Sequence, residues 1–400
     1  CLVGGGVPGL DADGGGTTSL RAHILAALSA YADAYHAYFE RNNRRVGGGM
    51  VELDRLPRVL LVEGLGLVTV GSSVKACDIA ADIYEQTVPV ICAAAGIAEY
   101  RPVSEADLFD CEYWELEQRK LKLGKKSPGP LDGQVCYITG GASGMGLATA
   151  RLFAKKGCNV FVVDVRQDRV DDVLSGSGGG GGPAGSTVLQ RGVNACGCVV
   201  DVTDPEAVRA SFEQVIDTFG GVDILVSNAG VVVQAPSGMA ALDVGALRKS
   251  MAVNFYGHQW VSSAAVRVML QQASALGGSL LYNISKAPLN PGAKLGPYVV
   301  AKAAALALMR QYAIEYGAHG IRANAVNADR VMTNLFDMKL VQDRAKARGL
   351  TAEQYFQSNL LKRQVFAEDV ANVFLNLTLS LKTTAAIVTV DGGNIAAAVR

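Results

Sequence analysis

Histidine is scarce. Four residues (His23, His36, His258 and His319) stand far apart in 400, with no H-x-H or H-x-x-x-H pair. A histidine-built zinc site formed by this chain alone is therefore not expected, and no metal is assigned. Cysteine is present without pattern: eight residues at 1, 77, 92, 111, 136, 158, 196 and 198, mostly inside apolar runs. No C-x-x-C occurs, and Cys196-Gly197-Cys198 has no matching second pair. Buried free thiols in a reducing compartment are the expectation, rather than a disulfide framework. No apolar run approaches the ~20 residues of a membrane-spanning helix. Net charge is absent too, with 37 Lys and Arg against 37 Asp and Glu. That balance excludes a nucleic-acid binder working through a broad basic field and a polybasic membrane-surface protein. The chain starts at Cys1 rather than Met, as a fragment or a processed product would, so no targeting argument is built on it; a cytoplasmic location is the expectation.

Glycine and apolar side chains are what the chain has in quantity. There are 46 glycines, half of all residues are hydrophobic, and 18% are charged. Such a chain can bury a sizeable core, and its length exceeds one comfortable domain. Residues 1–19 are Gly-rich and aperiodic, which reads as loop or disorder. From 21 to 41, apolar positions recur every three or four residues and predict an amphipathic helix. Short strands are expected at 57–63 and 67–70, and a helix over 73–95 that Pro89 should bend or break. Ser104, with Asp107 three residues on, predicts a helix start running to about 122. Residues 123–130 read as a linker, so the divisions are 1–19, 20–127 and 128–400.

The remainder alternates strand and helix signals. Strands are expected at 135–139, 160–165, 198–202, 224–227, 279–284 and 321–326. Helices are expected at 146–156, 205–219, 243–275 and 298–316. That rhythm predicts an α/β fold: a Rossmann-like, doubly wound parallel sheet with helices on both faces. A run beginning Ser175-Gly176-Ser177 and continuing through five glycines reads as a flexible surface insertion.

Three groups of residues carry chemistry. Thr139-Gly140-Gly141-Ala142-Ser143-Gly144-Met145-Gly146 follows the first strand of this region and opens a helix. Gly140 permits a tight turn, Gly144 lets backbone amides approach a pyrophosphate, and Gly146 lets helix and strand pack closely; the helix N-terminus attracts the phosphates. Asp164 ends the next strand, 18 residues after Gly146. A carboxylate there accepts hydrogen bonds from both ribose hydroxyls and repels a 2′-phosphate, favouring NAD over NADP, although nearby Arg166 weakens that preference. Tyr298 and Lys302 are one helical turn apart, where an ammonium would lower a phenol's pKa from ~10. Tyr282 and Lys286 repeat the spacing on a predicted strand, where positions four apart are ~13 Å distant. Ser285 is expected to end that strand, 13 residues before Tyr298, where it can hydrogen-bond a substrate oxygen. Asn254, a poor helix former inside an apolar helix, has either a role in the site or a packed, satisfied side chain.

In their order and spacing, Thr139–Gly146, Asp201-Val202, Asn228-Ala229-Gly230, Asn254, Ser285 and Tyr298-x-x-x-Lys302 resemble the short-chain dehydrogenase/reductase family over about 131–393. The resemblance implies an NAD(P)-dependent oxidoreductase. Tyr298 is then the acid/base, Lys302 holds the nicotinamide ribose, Ser285 orients the substrate oxygen and Asn254 holds a proton-relay water. It also implies that Asp201 and Val202 contact adenine, that Asn228-Ala229-Gly230 stabilises the sheet beside the cofactor, and that Thr333 approaches the carboxamide. A homodimer or homotetramer acting on a small hydroxy or carbonyl compound is implied as well. One departure stands out: the family usually has Pro-Gly where this chain has Ala328-Asp329-Arg330. Arg330 could bind an anionic substrate or simply pair with Asp329.

That departure and the first 125 residues are similar to a subgroup of bifunctional class II aldolase/short-chain dehydrogenases. The residues are Tyr35-x-x-Tyr38-Phe39, Pro57-Arg-Val-Leu-Leu-Val-Glu-Gly-Leu-Gly66 and Glu112-Tyr-Trp-Glu-Leu-Glu-Gln-Arg-Lys-Leu121. The aldolase's zinc-binding histidines would lie upstream, so no aldolase activity is assigned to these 400 residues; lactaldehyde is the substrate such a pairing suggests. Residues 334–365 read as a substrate lid, with Met338, Leu340, Tyr355 and Phe356 either lining it or packing normally. A non-catalytic, NAD-sensing scaffold and a fragment of a bifunctional aldolase remain as alternatives.

Overall fold

The apolar periodicity of residues 21–41 does form a helix, but a longer one. The computed structural model describes residues 2–3, 15–124, 129–175, 189, 191–272, 277–333 and 338–394. It divides into two units, Cys1–Pro128 and Gly129–Arg400. In the first, β1 (Leu2–Val3) pairs in parallel with β2 (Val59–Val62), which pairs antiparallel with β3 (Gly66–Thr69). Around them lie α1 (Gly15–Arg45), α2 (Val74–Ile97), α3 (Glu105–Glu112) and α4 (Glu115–Gly124). Phe39, Phe109 and Tyr113 form a buried aromatic cluster, and Tyr35 and Tyr38 donate hydrogen bonds to Glu112.

Three expectations for this unit change. Residues 2–3 are a strand and 15–19 are helical, so 1–19 is not loop throughout; residues 1 and 4–14 lie outside the described residues. Pro89 does not end α2, because a proline removes one backbone donor from a 24-residue helix whose start is fixed by the Ser73 side chain accepting from Ala76. Ser104 caps α3 as expected, accepting from the Asp107 amide, but the helix stops at Tyr113. The ring of Tyr113 turns into the aromatic cluster, and a second helix starts at Glu115.

In the second unit every sheet neighbour is parallel. The strands are β4 (Val135–Thr139), β5 (Asn159–Asp164), β6 (Ala195–Val199), β7 (Ile224–Ser227), β8 (Gly278–Asn283), β9 (Ile321–Ala328) and β10 (Ile387–Val390). Their order is β10-β9-β8-β7-β4-β5-β6. The helices are α5 (Gly144–Lys155), α6 (Gln167–Leu174), α7 (Pro205–Phe219), α8 (Val244–Met251), α9 (Gly257–Gln271), α10 (Gly296–Tyr316), α11 (Met338–Lys346), α12 (Ala352–Phe356) and α13 (Ala367–Leu379). The five residues of β4, like those of β7 and β8, are buried throughout, which is why they read as continuous apolar runs. Two hydrophobic cores result. One gathers Ile138, Phe153, Val162 and Phe374; the other gathers Tyr137, Phe161, Phe212 and Met309.

Local chemistry sets the element ends. Asp204 accepts from the amides of Glu206 and Ala207, Pro205 follows at the first helical position, and Gly220 closes α7 in the left-handed region. The guanidinium of Arg322, on β9, donates to the carbonyls of Leu377, Thr378 and Ser380 at the end of α13. The strand expected at 198–202 lies earlier, at 195–199, since β6 ends where its partner β5 ends, Val199 opposite Asp164. The helix expected over 243–275 is interrupted by a π-helical turn, Ala252–Tyr256. Residues 176–188 of the glycine-rich insertion, and 273–276, lie outside the described residues. Order reverses at β4, so its C-terminal edge beside β7 is the crevice where such sheets bind ligands.

Candidate active site

The turn after β4 is shaped by its glycines. Gly140 has φ +60°, and an added Cβ would stand 3.1 Å from Asn228 Nδ2. A Cβ on Gly146 would lie 2.2 Å from the Gly140 carbonyl oxygen, a contact no side chain survives. Ser143 caps α5 in extended conformation without spending its hydroxyl on the helix, so no side chain of the cap occupies the helix's first amides. Thr333 lies across from Gly144, its Cβ 3.1 Å from where a Cβ there would be. The cradle fits a dinucleotide's pyrophosphate.

Asn228-Ala229-Gly230 ties strand ends together. The amides of Asn228 and Ala229 donate to Thr139 Oγ1 at 2.9 and 3.0 Å. Asn228 Nδ2 donates to the Thr139 and Gly140 carbonyls, and Asn228 Oδ1 accepts from Asn283 Nδ2 at 2.8 Å. One side chain thus fastens β4, β7 and β8 at the crevice. Asn254 occupies the π turn, a deviation common at functional sites. It is buried and satisfied: Oδ1 accepts from the Val231 amide at 3.0 Å, while Nδ2 donates to the Val231 carbonyl and Ser250 Oγ. Its side chain therefore anchors the loop after Gly230.

Met145, Asn228, Gly230, Ser285, Tyr298, Lys302 and Thr333 all line one cavity of about 790 Å³. Asp164, Asp201 and Val202 lie outside its lining, past or at the C-terminal ends of β5 and β6. Asp164 is buried and accepts from the Arg166 amide; Asp201 accepts from the amide and hydroxyl of Thr203; Val202 packs where Gly257 leaves room. Arg166 is committed to a two-point pair with Asp168 at 2.9 and 2.6 Å. Ser285 follows β8 by two residues rather than ending it, lines the same cavity as Tyr298 and acts to lower that phenol's pKa.

The electrostatics differ from the sequence expectation. Burial raises the Tyr298 phenol above its ordinary value and Asp329 raises it further, with only the Ser285 hydrogen bond opposing. Lys302 turns elsewhere: its ammonium donates to the Asn283 carbonyl at 2.8 Å and meets His258 Nε2 at 3.3 Å. Burial pushes Lys302 down to about 7. In the protein's own field, then, Lys302 is not what lowers Tyr298. Tyr282 is buried on β8 with its hydroxyl against Ser262, so its pairing in sequence with Lys286 has no counterpart in space.

Where the family has Pro-Gly, Asp329 pairs with Lys286 at 2.7 Å, both largely shielded. Arg330 lies 3.7 Å from Asp329, but its guanidinium stacks on the Tyr355 ring at 4.3 Å and donates to the Tyr355 carbonyl and the Ser358 hydroxyl. It fastens the segment bearing α12 over the cavity. Tyr355 lines that cavity, whereas Phe356 is buried beside Val341 and Ala345. Residues 334–337 and the side chains of Met338 and Leu340 lie outside the described atoms. The sequence reading missed His258, although it follows Asn254 by one helical turn in a chain with four histidines. It also missed the Lys286–Asp329 pair, which joins loops after two different strands. Among the described residues no group of three or more His, Cys, Asp or Glu could hold a metal ion, and no helix is long and apolar enough to cross a membrane.

A glycine-rich strand-to-helix turn at the switch point of a parallel sheet, opening on a cavity with serine, tyrosine and lysine, defines a nicotinamide-dependent oxidoreductase. Residues 140–394 match the family model described as enoyl-(acyl carrier protein) reductase, and the chain belongs to the short-chain dehydrogenase/reductase family. Residues 9–121 match the model described as aldolase class II, second domain. The chain is 30% identical over 385 residues to the uncharacterized oxidoreductase YuxG of Bacillus subtilis, covering 94% of this chain and 53% of that protein. It thus spans about half that relative's length. It is 33% identical over 249 residues to (+)-borneol dehydrogenase 1 of Salvia officinalis, covering 62% of this chain and 87% of that enzyme. The structure of levodione reductase aligns with TM-score 0.57 and 27% identity, covering 66% of this chain and 98% of that one.

Proposed function

We propose that the unit Gly129–Arg400 is an NAD-preferring dehydrogenase that interconverts a small polar hydroxy compound and its carbonyl partner. The observation that carries this reading is the convergence of Ser285, Tyr298 and Lys302 on one cavity beside the glycine turn. NAD, when bound, accepts or returns the hydride. The chain's own residues do the rest. Gly140, Ser143, Gly144, Met145 and Gly146 hold the pyrophosphate, and Asp201, Val202 and Thr333 complete the nucleotide site. Asn228-Ala229-Gly230 and Asn254 hold the crevice open. Ser285 orients the substrate oxygen. Tyr298 exchanges its proton, and Lys302 fixes the ribose.

Lactaldehyde is our first candidate substrate. The match of residues 9–121 to an aldolase domain favours a companion aldol cleavage that releases a small hydroxyaldehyde. Lys286, Asp329, Arg330 and Ser285 place polar groups in the cavity's lining, where a short hydroxylated molecule can find hydrogen-bond partners. A panel of short hydroxyaldehydes, diols and hydroxy acids, followed by NADH absorbance, is expected to show turnover. Tight NADH binding with no turnover over the whole panel would support a non-catalytic sensor instead.

Preference for NAD rests on Asp164 at the end of β5 and on Arg166 being held by Asp168. Asp164→Ser is expected to shift the ratio of kcat/KM for NAD over NADP by about 10–100-fold toward NADP, the scale of removing one charge–charge repulsion at a phosphate. An unchanged ratio counts against the assignment.

A further inference from the structure

His258 is a buried titratable group that the proposed proton transfer does not use. It sits on the first turn of α9, one turn after Asn254, and is 2% exposed. Its two ring nitrogens meet different partners. Nδ1 is 2.5 Å from Ser227 Oγ on β7, and Nε2 is 3.3 Å from Lys302 Nζ on α10. The same ammonium donates to the Asn283 carbonyl on β8 at 2.8 Å. An ammonium has donors only, so a ring nitrogen facing it must be bare. The other nitrogen then carries the hydrogen and donates it to the Ser227 hydroxyl. We propose that His258 is the positioning residue of Lys302: a neutral imidazole, protonated at Nδ1, that accepts from the Lys302 ammonium and is itself held by Ser227.

Two elements, β8 and α9, converge on this one ammonium of α10. Asn283 and His258 take two of its three hydrogens and leave the third for the ribose of the cofactor. Other groups nearby do not compete for it. Tyr298 shares its helix, Asn254 is spent on Val231 and Ser250, and Asp329 pairs with Lys286 and acts on Tyr298. Burial and the adjacent Lys302 both hold His258 well below the ordinary imidazole value, consistent with a ring that stays neutral. His258 thus acts on the cofactor site through Lys302, without touching substrate.

Nitrogen NMR of the cofactor-free protein, labelled with 15N-histidine, reads the contact directly. Only four histidines contribute, and His258→Gln assigns the buried one. At pH 6 the expected signal is a neutral ring with hydrogen on Nδ1 and a bare Nε2, the minor tautomer of free histidine, and Lys302→Met should abolish that preference. An imidazolium, or a hydrogen on Nε2, at pH 6 overturns the proposal. Kinetics supply a second arm, which rests on the dehydrogenase reading. In His258→Leu the Lys302 ammonium loses one acceptor, so the alkaline limb of kcat/KM for NADH, on which that ammonium gives up its proton, should move down by about one pH unit, the scale of losing one hydrogen bond to a charge. His258→Gln keeps an acceptor and should recover most of the shift. A Leu variant that loses thermal stability with an unmoved limb assigns His258 a packing role and overturns the proposal. Absence of turnover over the whole panel would count against the dehydrogenase reading alone, since the tautomer decides the His258–Lys302 contact by itself.

Discussion

Tyr298→Phe is expected to lower kcat by about 10²–10⁴-fold or more, the range spanned by general acid–base catalysis, while NADH affinity stays within about threefold of the wild type. The substitution keeps the ring and its packing and removes one oxygen, the phenol oxygen whose pKa Ser285 and Asp329 influence. Removing a hydrogen-bonded hydroxyl costs a fold about 1 kcal/mol, so the variant should remain folded and still bind nucleotide. The pH dependence follows from the raised phenol. Oxidation requires Tyr298 to accept a hydroxyl proton as phenolate. Burial and Asp329 hold the phenol protonated, so the oxidation rate should climb toward alkaline pH. Reduction uses the protonated form and should be flat through neutrality. Steady-state NADH absorbance measures turnover, and fluorescence titration measures binding. Wild-type-like turnover in the Phe variant would remove Tyr298 from the chemistry.

The doubly wound parallel sheet was legible in the sequence because its strands are apolar on both faces and its helices are punctuated by strong local signals. Asp204-Pro205 before α7 and Gly220 after it show such signals at work. Boundaries were less legible where partners decide them. β6 ends with β5, a register that only pairing reveals. The π turn around Asn254 left only an indirect trace, a polar residue inside an apolar helix, because its cause is the Val231 backbone that the side chain holds. The candidate site residues belonging to local motifs, such as the glycine turn and Tyr298-x-x-x-Lys302, could be picked out by spacing once their placement on strand, turn or helix was read with it. The Lys286–Asp329 pair and the stacking of Arg330 on Tyr355 join loops far apart in the chain, and no local pattern records them. The electrostatic reading of Lys302 failed for a similar reason. Spacing places it one turn from Tyr298 but does not say that the Asn283 carbonyl and His258 claim its ammonium.

Lys302→Met should make the cofactor-free protein more stable at pH 6 even as it removes activity. The ammonium is buried among hydrogen-bond acceptors, the Asn283 carbonyl and His258, with no carboxylate between them, and burial pushes it down to about 7. In the unfolded chain the same group titrates near 10.4. Since the folded value lies below the unfolded one, the folded state binds fewer protons between the two. Stability from this group therefore rises with pH across that window and is lowest below about 7. At about 1.4 kcal/mol per unit the penalty at pH 6 is at most about 5 kcal/mol. Methionine has similar length and no charge, so it removes the penalty. It also forfeits the bonds to Asn283 and His258, which offsets about 1–3 kcal/mol. The net expectation is a gain of about 1–3 kcal/mol at pH 6, read as a rise in Tm of several degrees. At pH 10 the lysine is neutral in the folded state and about three-tenths neutral in the unfolded one, so the lost bonds outweigh the small penalty that remains and the gain should vanish or reverse. A Met variant less stable than wild type at pH 6, or a Tm difference that ignores pH, would show that Lys302 sits in the fold without electrostatic cost. A gain confined to low pH would mean that the fold holds a destabilising charge where the proposed proton transfer requires one.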